Sequence, residues 1–151
     1  MEQDAVKLYL KEGTKIEVLF DDGLTKRYDM ERLFTKYPWV SALKDRKLFL
    51  QGKLLGWGSI VWNEEIDVDA ETVYDCGETV DSPADADQLI FGYRLKKARL
   101  EAELTQSELS ERTGVDQSDI SKLEKGTRNP SIGLLRRVAK GLGKSISIFL
   151  L

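Results

Sequence analysis

Histidine is absent from the 151 residues, and cysteine occurs once, at Cys76. These two shortages exclude Ser-His-Asp and Cys-His catalysis, histidine and thiolate zinc sites, and any disulfide within the chain. Proline is also scarce, with three residues, and the 12 glycines follow no period, so the chain is not collagenous, disordered or low in complexity. No apolar run approaches the roughly 18 residues of a membrane span, and the opening residues from Met1 to Lys7 lack the basic-then-apolar pattern of a leader. The expectation is a soluble, cytoplasmic protein with no membrane contact, no catalytic residues, no metal and no cofactor. What is present is ordinary for a folded protein, with 41% apolar and 32% charged residues. The length suits one medium domain or two small ones, and two small ones would each be marginal, since a unit of about 60 residues buries only about 60% of its unfolded surface.

Charge divides the chain. Residues 1–88 hold 11 Lys/Arg against 19 Asp/Glu, a balance of −8, whereas residues 89–151 hold 12 against 7, a balance of +5. An acidic protein with a basic half can still grip phosphates through that half, so the net charge of −3 does not exclude nucleic acid. Between the halves, Gly77 to Asp87 is polar, carries Pro83 and has no helical or strand periodicity. The expected organisation is an acidic domain at 1–76, a linker at 77–88 and a basic domain at 89–151.

The basic half reads as helices with explicit start and stop signals. Leu89, Phe91, Leu95, Ala98 and Leu100 approximate one face of a first helix, with Arg94, Lys96, Lys97 and Arg99 on the remainder. Thr105-Gln-Ser-Glu108 is a capping box opening a second helix, which Gly114 ends before Val115 plugs the turn. Asp116 is the expected N-cap of a third helix, with Asp119 in its first turn, Ile120 and Leu123 beneath it, and Gly126 at its end. Ser131 caps a fourth, whose expected buried face is Ile132, Leu134, Leu135, Val138, Ala139 and Leu142. Gly133 and Gly141 inside that helix should each cost about 1 kcal/mol relative to alanine, unless docking compensates. Ser145 to Leu150, with Leu151 beside it, can be helix or strand.

The stretch from Thr105 to Pro130, with its T-Q-x-E-L opening, G-V at the turn, I-S-x-L-E-x-G and N-P, resembles the Cro/repressor-type (xenobiotic-response-element) helix-turn-helix family over residues 90–148. The resemblance implies that the third helix lies in the DNA major groove while the second crosses the backbone. It places Gln117, Ser118, Ser121, Lys122 and Lys125 on the outward stripe of the reader helix. Gln117 would pair with adenine and Lys122 with guanine acceptors. Gln106 matches the family's phosphate-contact position and would also brace the reader, and Arg128 and Asn129 fall where the family's loop meets phosphate. Ser110 stands where the family usually has alanine; being small, it can bond back toward the Thr105 and Gln106 carbonyls.

The acidic half reads as a small antiparallel meander with short helices, making the whole α+β with an all-α helix-turn-helix bundle at the C-terminus. Residues 6–10, 15–20 and 25–28 alternate as strands around an Asp21-Asp-Gly23 turn. Asp29 caps a short helix and Pro38 opens another turn. Residues 47–51, 53–55 and 59–62 are further strand candidates, and residues 70–74 a helical turn. The hairpin, the D-M-E-R-L-F stretch at 29–34 and the D-V-D-A-E-T-V-Y stretch at 67–74 resemble an uncharacterised bacterial α+β family, found alone or fused before repressor-type units. Lone members are often encoded beside a small toxin-like protein, so the resemblance leaves an antitoxin role open. Glu64, Glu65, Asp67, Asp69 and Glu71 do not fit a calcium loop and read as a solvated acidic edge. Tyr37, Trp39, Trp57 and Trp62 can line a ligand pocket, but core packing or a dimer surface explains them more cheaply.

Together these features predict a transcriptional regulator and not an enzyme. It would bind double-stranded DNA as a homodimer at a palindromic operator, with the acidic domain serving dimerisation or a protein partner. The alternative is an autoregulating antitoxin whose acidic domain neutralises a toxin.

Overall fold

The computed structural model describes residues 3–149 and divides after Pro83 into two compact units. In the first unit, β1 (Ala5–Leu10), β2 (Lys15–Phe20), β3 (Thr25–Asp29) and a late strand, β7 (Glu78–Val80), form an antiparallel sheet in the order β1-β2-β3-β7. The second turn of this meander, between β2 and β3, needs Gly23, which sits at φ 91°, in the left-handed region where a Cβ is disfavoured. Ile16, Val18 and Phe20 alternate along β2 and bury completely in the core. Glu17, on the opposite face, is held by Arg27 at 2.9 Å and Lys11 at 3.8 Å.

Two short 3-10 helices, Met30–Leu33 and Pro38–Lys44, lead to α1 (Arg46–Phe49). Asp29 caps the first as expected, accepting from the Glu31 amide. The strand expected at 47–51 is therefore a helical turn. Asp45 accepts from the Lys47 amide, which starts the turn, and the alternation of Leu48 and Leu50 was misleading because Phe49 is the buried residue and Leu50 is 54% exposed. A second antiparallel sheet, β4-β5-β6, follows, made of β4 (Lys53–Leu55), β5 (Ser59–Val61) and β6 (Asp67–Asp69). Of the acidic edge, Asp67 and Asp69 lie in β6, Glu64 and Glu65 precede it, and Glu71 lies in α2 (Ala70–Cys76), which continues from the strand.

The residues read as a linker are structured at both ends. β7 adds to the first sheet with Arg27 opposite Glu78 and Lys26 opposite Thr79. Their side chains pair across the strands, Arg27 Nη1 to Glu78 at 3.3 Å and Lys26 Nζ to Thr79 at 2.9 Å. Glu78, Thr79 and Val80 include a single apolar residue, so no alternation shows, which is why composition alone suggested a connector. The next helix, α3 (Ala86–Glu101), starts three residues before Leu89.

The second unit consists of α3, α4 (Gln106–Thr113), α5 (Gln117–Glu124), α6 (Ile132–Gly141) and a closing 3-10 turn, Ile146–Phe149. Leu95, Leu109, Ile120 and Leu123 are fully buried at its centre, worth roughly 1.5–3 kcal/mol each relative to exposure. Phe149 from the closing turn meets Phe91 edge to face, with ring centroids 5.1 Å apart. Leu150 and Leu151, included in the expected final element, lie outside the described residues. Two expected core residues face solvent, Leu100 at the end of α3 and Ile132 at the start of α6. Each terminal residue has rotated past the packed stripe of its helix.

Candidate nucleic-acid interface

Two adjacent helices with opposite requirements make the site. α4 begins at a complete capping box, in which the Glu108 amide donates to Thr105 Oγ1 at 3.0 Å and the Thr105 amide donates to the Glu108 carboxylate at 2.9 Å. The second bond holds the Glu108 carboxyl below the usual carboxylate range, because it favours the charged form. α4 ends at Gly114, φ 73°, as the sequence required. Ser110 departs from expectation. Its hydroxyl donates forward to the Val115 carbonyl at 2.6 Å, tying α4 to the turn, and not back toward Thr105.

α5 then presents a sharp division. Ile120 and Leu123 are fully buried, while Gln117, Ser118, Lys122 and Lys125 are exposed and Ser121 is half-buried. Asp116 precedes the helix with no side-chain cap bond, so the expected capping contact is absent. Asp119 instead pairs with Arg128 Nη1 at 2.6 Å, joining the first turn of α5 to the loop beyond it. Asn129 is exposed beside Arg128. The expected reader residues therefore share one surface, and Arg128 reaches that surface as part of an ion pair.

The far end of α5 is held by a group that sequence reasoning placed in solvent. Arg99 is 7% exposed, with Nε donating to Glu124 Oε2 at 2.7 Å, Nη2 to Oε1 at 3.0 Å and Nη1 to the Leu104 carbonyl at 2.8 Å. This bidentate fork keeps the guanidinium protonated more firmly than usual, chiefly through its hydrogen bonds to Glu124. Gln106 Nε2 donates to the same Glu124 carboxylate at 3.1 Å, so Gln106 braces α5 from the start of α4. Arg99 lies four residues beyond the fully buried Leu95, on the same helical face, and that spacing was the available signal. Glycine permits the approach of α3 to this end of α5. A Cβ on Gly92 would fall 2.5 Å from the Leu123 carbonyl oxygen and 2.6 Å from that of Glu124.

A basic helix-turn-helix unit whose second helix turns a polar stripe outward defines a DNA-binding transcriptional regulator. Residues 95–149 match the family described as Helix-turn-helix, HTH_3, and residues 5–78 match the family described as Protein of unknown function, DUF2442. The chain belongs to the HTH_3 family through its second unit and carries a DUF2442 domain as its first. An uncharacterised HTH-type transcriptional regulator of Methanothermobacter thermautotrophicus is 46% identical over 50 residues, covering 33% of this chain and 72% of that protein. The regulator y4dL of Sinorhizobium fredii is 43% identical over 53 residues, covering 35% of this chain but only 27% of its own length. Among solved structures, the restriction-modification controller protein C.AhdI of Aeromonas hydrophila is 30% identical, with a TM-score of 0.39, over 39% of this chain and 89% of that one. No helix among the described residues is long and apolar enough to cross a membrane.

Proposed function

We propose that the second unit reads an operator by placing α5 in the major groove, with two copies of the protein meeting two half-sites of a palindrome. The observation that carries this reading is the exposed stripe of Gln117, Ser118, Lys122 and Lys125 opposite the buried Ile120 and Leu123. A bidentate Gln117 suits adenine and Lys122 suits the guanine acceptors, whereas Ser118 and Ser121 discriminate less. Gln106, Arg128, Asn129 and Lys125 serve the phosphate backbone, which fixes register and carries no sequence information itself. Gln106 has an amide hydrogen left after its bond to Glu124, and Arg128 has N–H groups left after Asp119. One small unit makes few phosphate contacts, which is why a dimer with half-sites about one helical turn apart is the proposed binding form. The first unit then acts as the module for dimerisation or for a protein partner.

The test of the phosphate assignment is the salt dependence of duplex binding. Arg128→Ala should weaken binding to all sequences alike and reduce the log–log salt slope by about 1, as expected for loss of one phosphate contact. An unchanged slope would remove Arg128 from the interface.

A further inference from the structure

We propose that the open edge of β6, with the aromatic groove beside it, binds an extended segment of another protein that carries lysine or arginine at alternate positions. Among the described residues, the strand order β4-β5-β6 leaves β6 paired on one side only. Its pairing parity fixes what the other side offers. The Trp62 amide donates to the Ile66 carbonyl and the Ala70 amide to the Gly58 carbonyl, both at 2.9 Å. Bonded pairs alternate along an antiparallel ladder, so Ile60 and Val68, which face each other midway, are the bonded pair within β6. The amides of Asp67 and Asp69 and the carbonyl of Asp67 therefore turn away from β5, while the Asp69 carbonyl serves α2 as its N-cap. An incoming strand finds one donor–acceptor pair and a further donor in register.

Beside that edge lies a cavity of about 410 Å³ lined by Leu33, Tyr37, Trp39 and Val40 together with β6. Trp39 is 53% exposed yet fixed, because its Nε1 donates to the Glu65 carbonyl at 2.9 Å and its ring meets Tyr37 at 5.5 Å. A rigid, solvent-facing indole is a good anchor for a partner side chain. Asp67 and Asp69 are both exposed on the side of β6 opposite the buried Val68, and residues two apart along a strand are about 6.6 Å apart. Cationic side chains at alternate positions of an added strand would face them, while the intervening apolar side chains point toward the groove. Lys36, in the lining of the groove, already lies over the Tyr37 ring at 5.4 Å, so this wall accepts an ammonium. A second copy of the chain is the wrong occupant, since self-pairing sets aspartate against aspartate, and like charges opposite one another destabilise a ladder.

This inference does not rest on DNA reading and is tested on the full chain. The probe is a fluorescent, end-blocked peptide of alternating lysine and valine, seven residues long, followed by anisotropy. Expected is saturable binding that weakens at least tenfold in Asp67→Asn/Asp69→Asn and in Trp39→Ala, with shifts of the Asp67 and Asp69 amide resonances. The same peptide N-methylated at alternate residues should not bind. The aspartate variant keeps the test valid if Trp39→Ala fails to fold, because both aspartates are exposed. Absence of saturable binding at millimolar peptide, equal binding of the N-methylated peptide, displacement by spermine at equal charge concentration, or indifference to the aspartate substitutions would each overturn the proposal.

Discussion

Glu124 joins α5 to both Arg99 and Gln106, and its removal gives a sharp expectation. Glu124→Ala would leave the Arg99 guanidinium, 7% exposed, without its carboxylate, and would take from Gln106 the acceptor 3.1 Å away. Breaking a buried pair by removing one partner costs about 3–5 kcal/mol. The lower end applies, because Arg99 keeps its bond to the Leu104 carbonyl at 2.8 Å. A unit of this size has a total stability of roughly 3–10 kcal/mol, so a loss of about 3 kcal/mol removes a third of it or more. Helical circular dichroism in a urea titration reads this out. Tryptophan fluorescence follows only the first unit, since Trp39, Trp57 and Trp62 all lie there. With an m-value of about 1 kcal/mol per molar urea, the helical midpoint should fall by about 3 M, and Arg99→Met/Glu124→Leu should recover most of it. A loss below about 1 kcal/mol would refute the claim that this pair anchors α5.

Two glycines should respond in opposite directions. Gly92→Ala drives a Cβ to 2.5 Å from the Leu123 carbonyl oxygen and should destabilise by more than 2 kcal/mol, on the order of a forced overpacking. Gly133→Ala meets nothing closer than Ser131 Oγ at 4.0 Å and should stabilise by about 0.5 kcal/mol in the same titration. Glu108 supplies a pH dependence. Its carboxyl is held below its ordinary value, so its contribution is complete above the unfolded value of about 4.3 and is lost as pH falls through the folded one. The stability difference between the wild type and Glu108→Gln should therefore shrink below about pH 4; a difference that stays constant to pH 2.5 would contradict the capping role.

What was legible in the sequence was local. The Thr105–Glu108 box, the left-handed Gly114 and the spacing of Ile120 and Leu123 each need only neighbours three or four residues apart, and these defined α4, the turn and the inward face of α5. The ion pairs were hidden by distance. Arg99 and Glu124 are 25 residues apart, and a cation on a basic helix reads as solvated unless its place beside Leu95 is weighed more heavily than its charge. Asp119 and Arg128 were each read singly, one as an acid in the first turn of its helix and the other as a phosphate contact, although they meet at 2.6 Å. Gly141 had looked costly; its Cβ would fall 2.3 Å from Thr113 Cγ2, so the close approach of α6 to α4 accounts for it. In the first unit the hairpins were visible by alternation. β6 and β7 carry one apolar residue each, Val68 and Val80, in acidic or polar surroundings and so showed no strand pattern, and α1 was mistaken for a strand because two flanking leucines mimicked alternation. Of the four aromatics weighed for a pocket, Trp62 is core, donating from Nε1 to the Phe49 carbonyl at 2.8 Å, whereas Tyr37 and Trp39 line the groove beside β6.

The central claim is that α5 reads bases, and selection of bound fragments from a random duplex library, run in parallel with the wild type and Gln117→Ala, tests it most directly. The account predicts a palindromic winner for the wild type with half-sites about one helical turn apart, and loss of preference at one base per half-site in the variant, worth about 1–3 kcal/mol at that position. Identical preferences in the two proteins, or no enrichment at low salt, would contradict it.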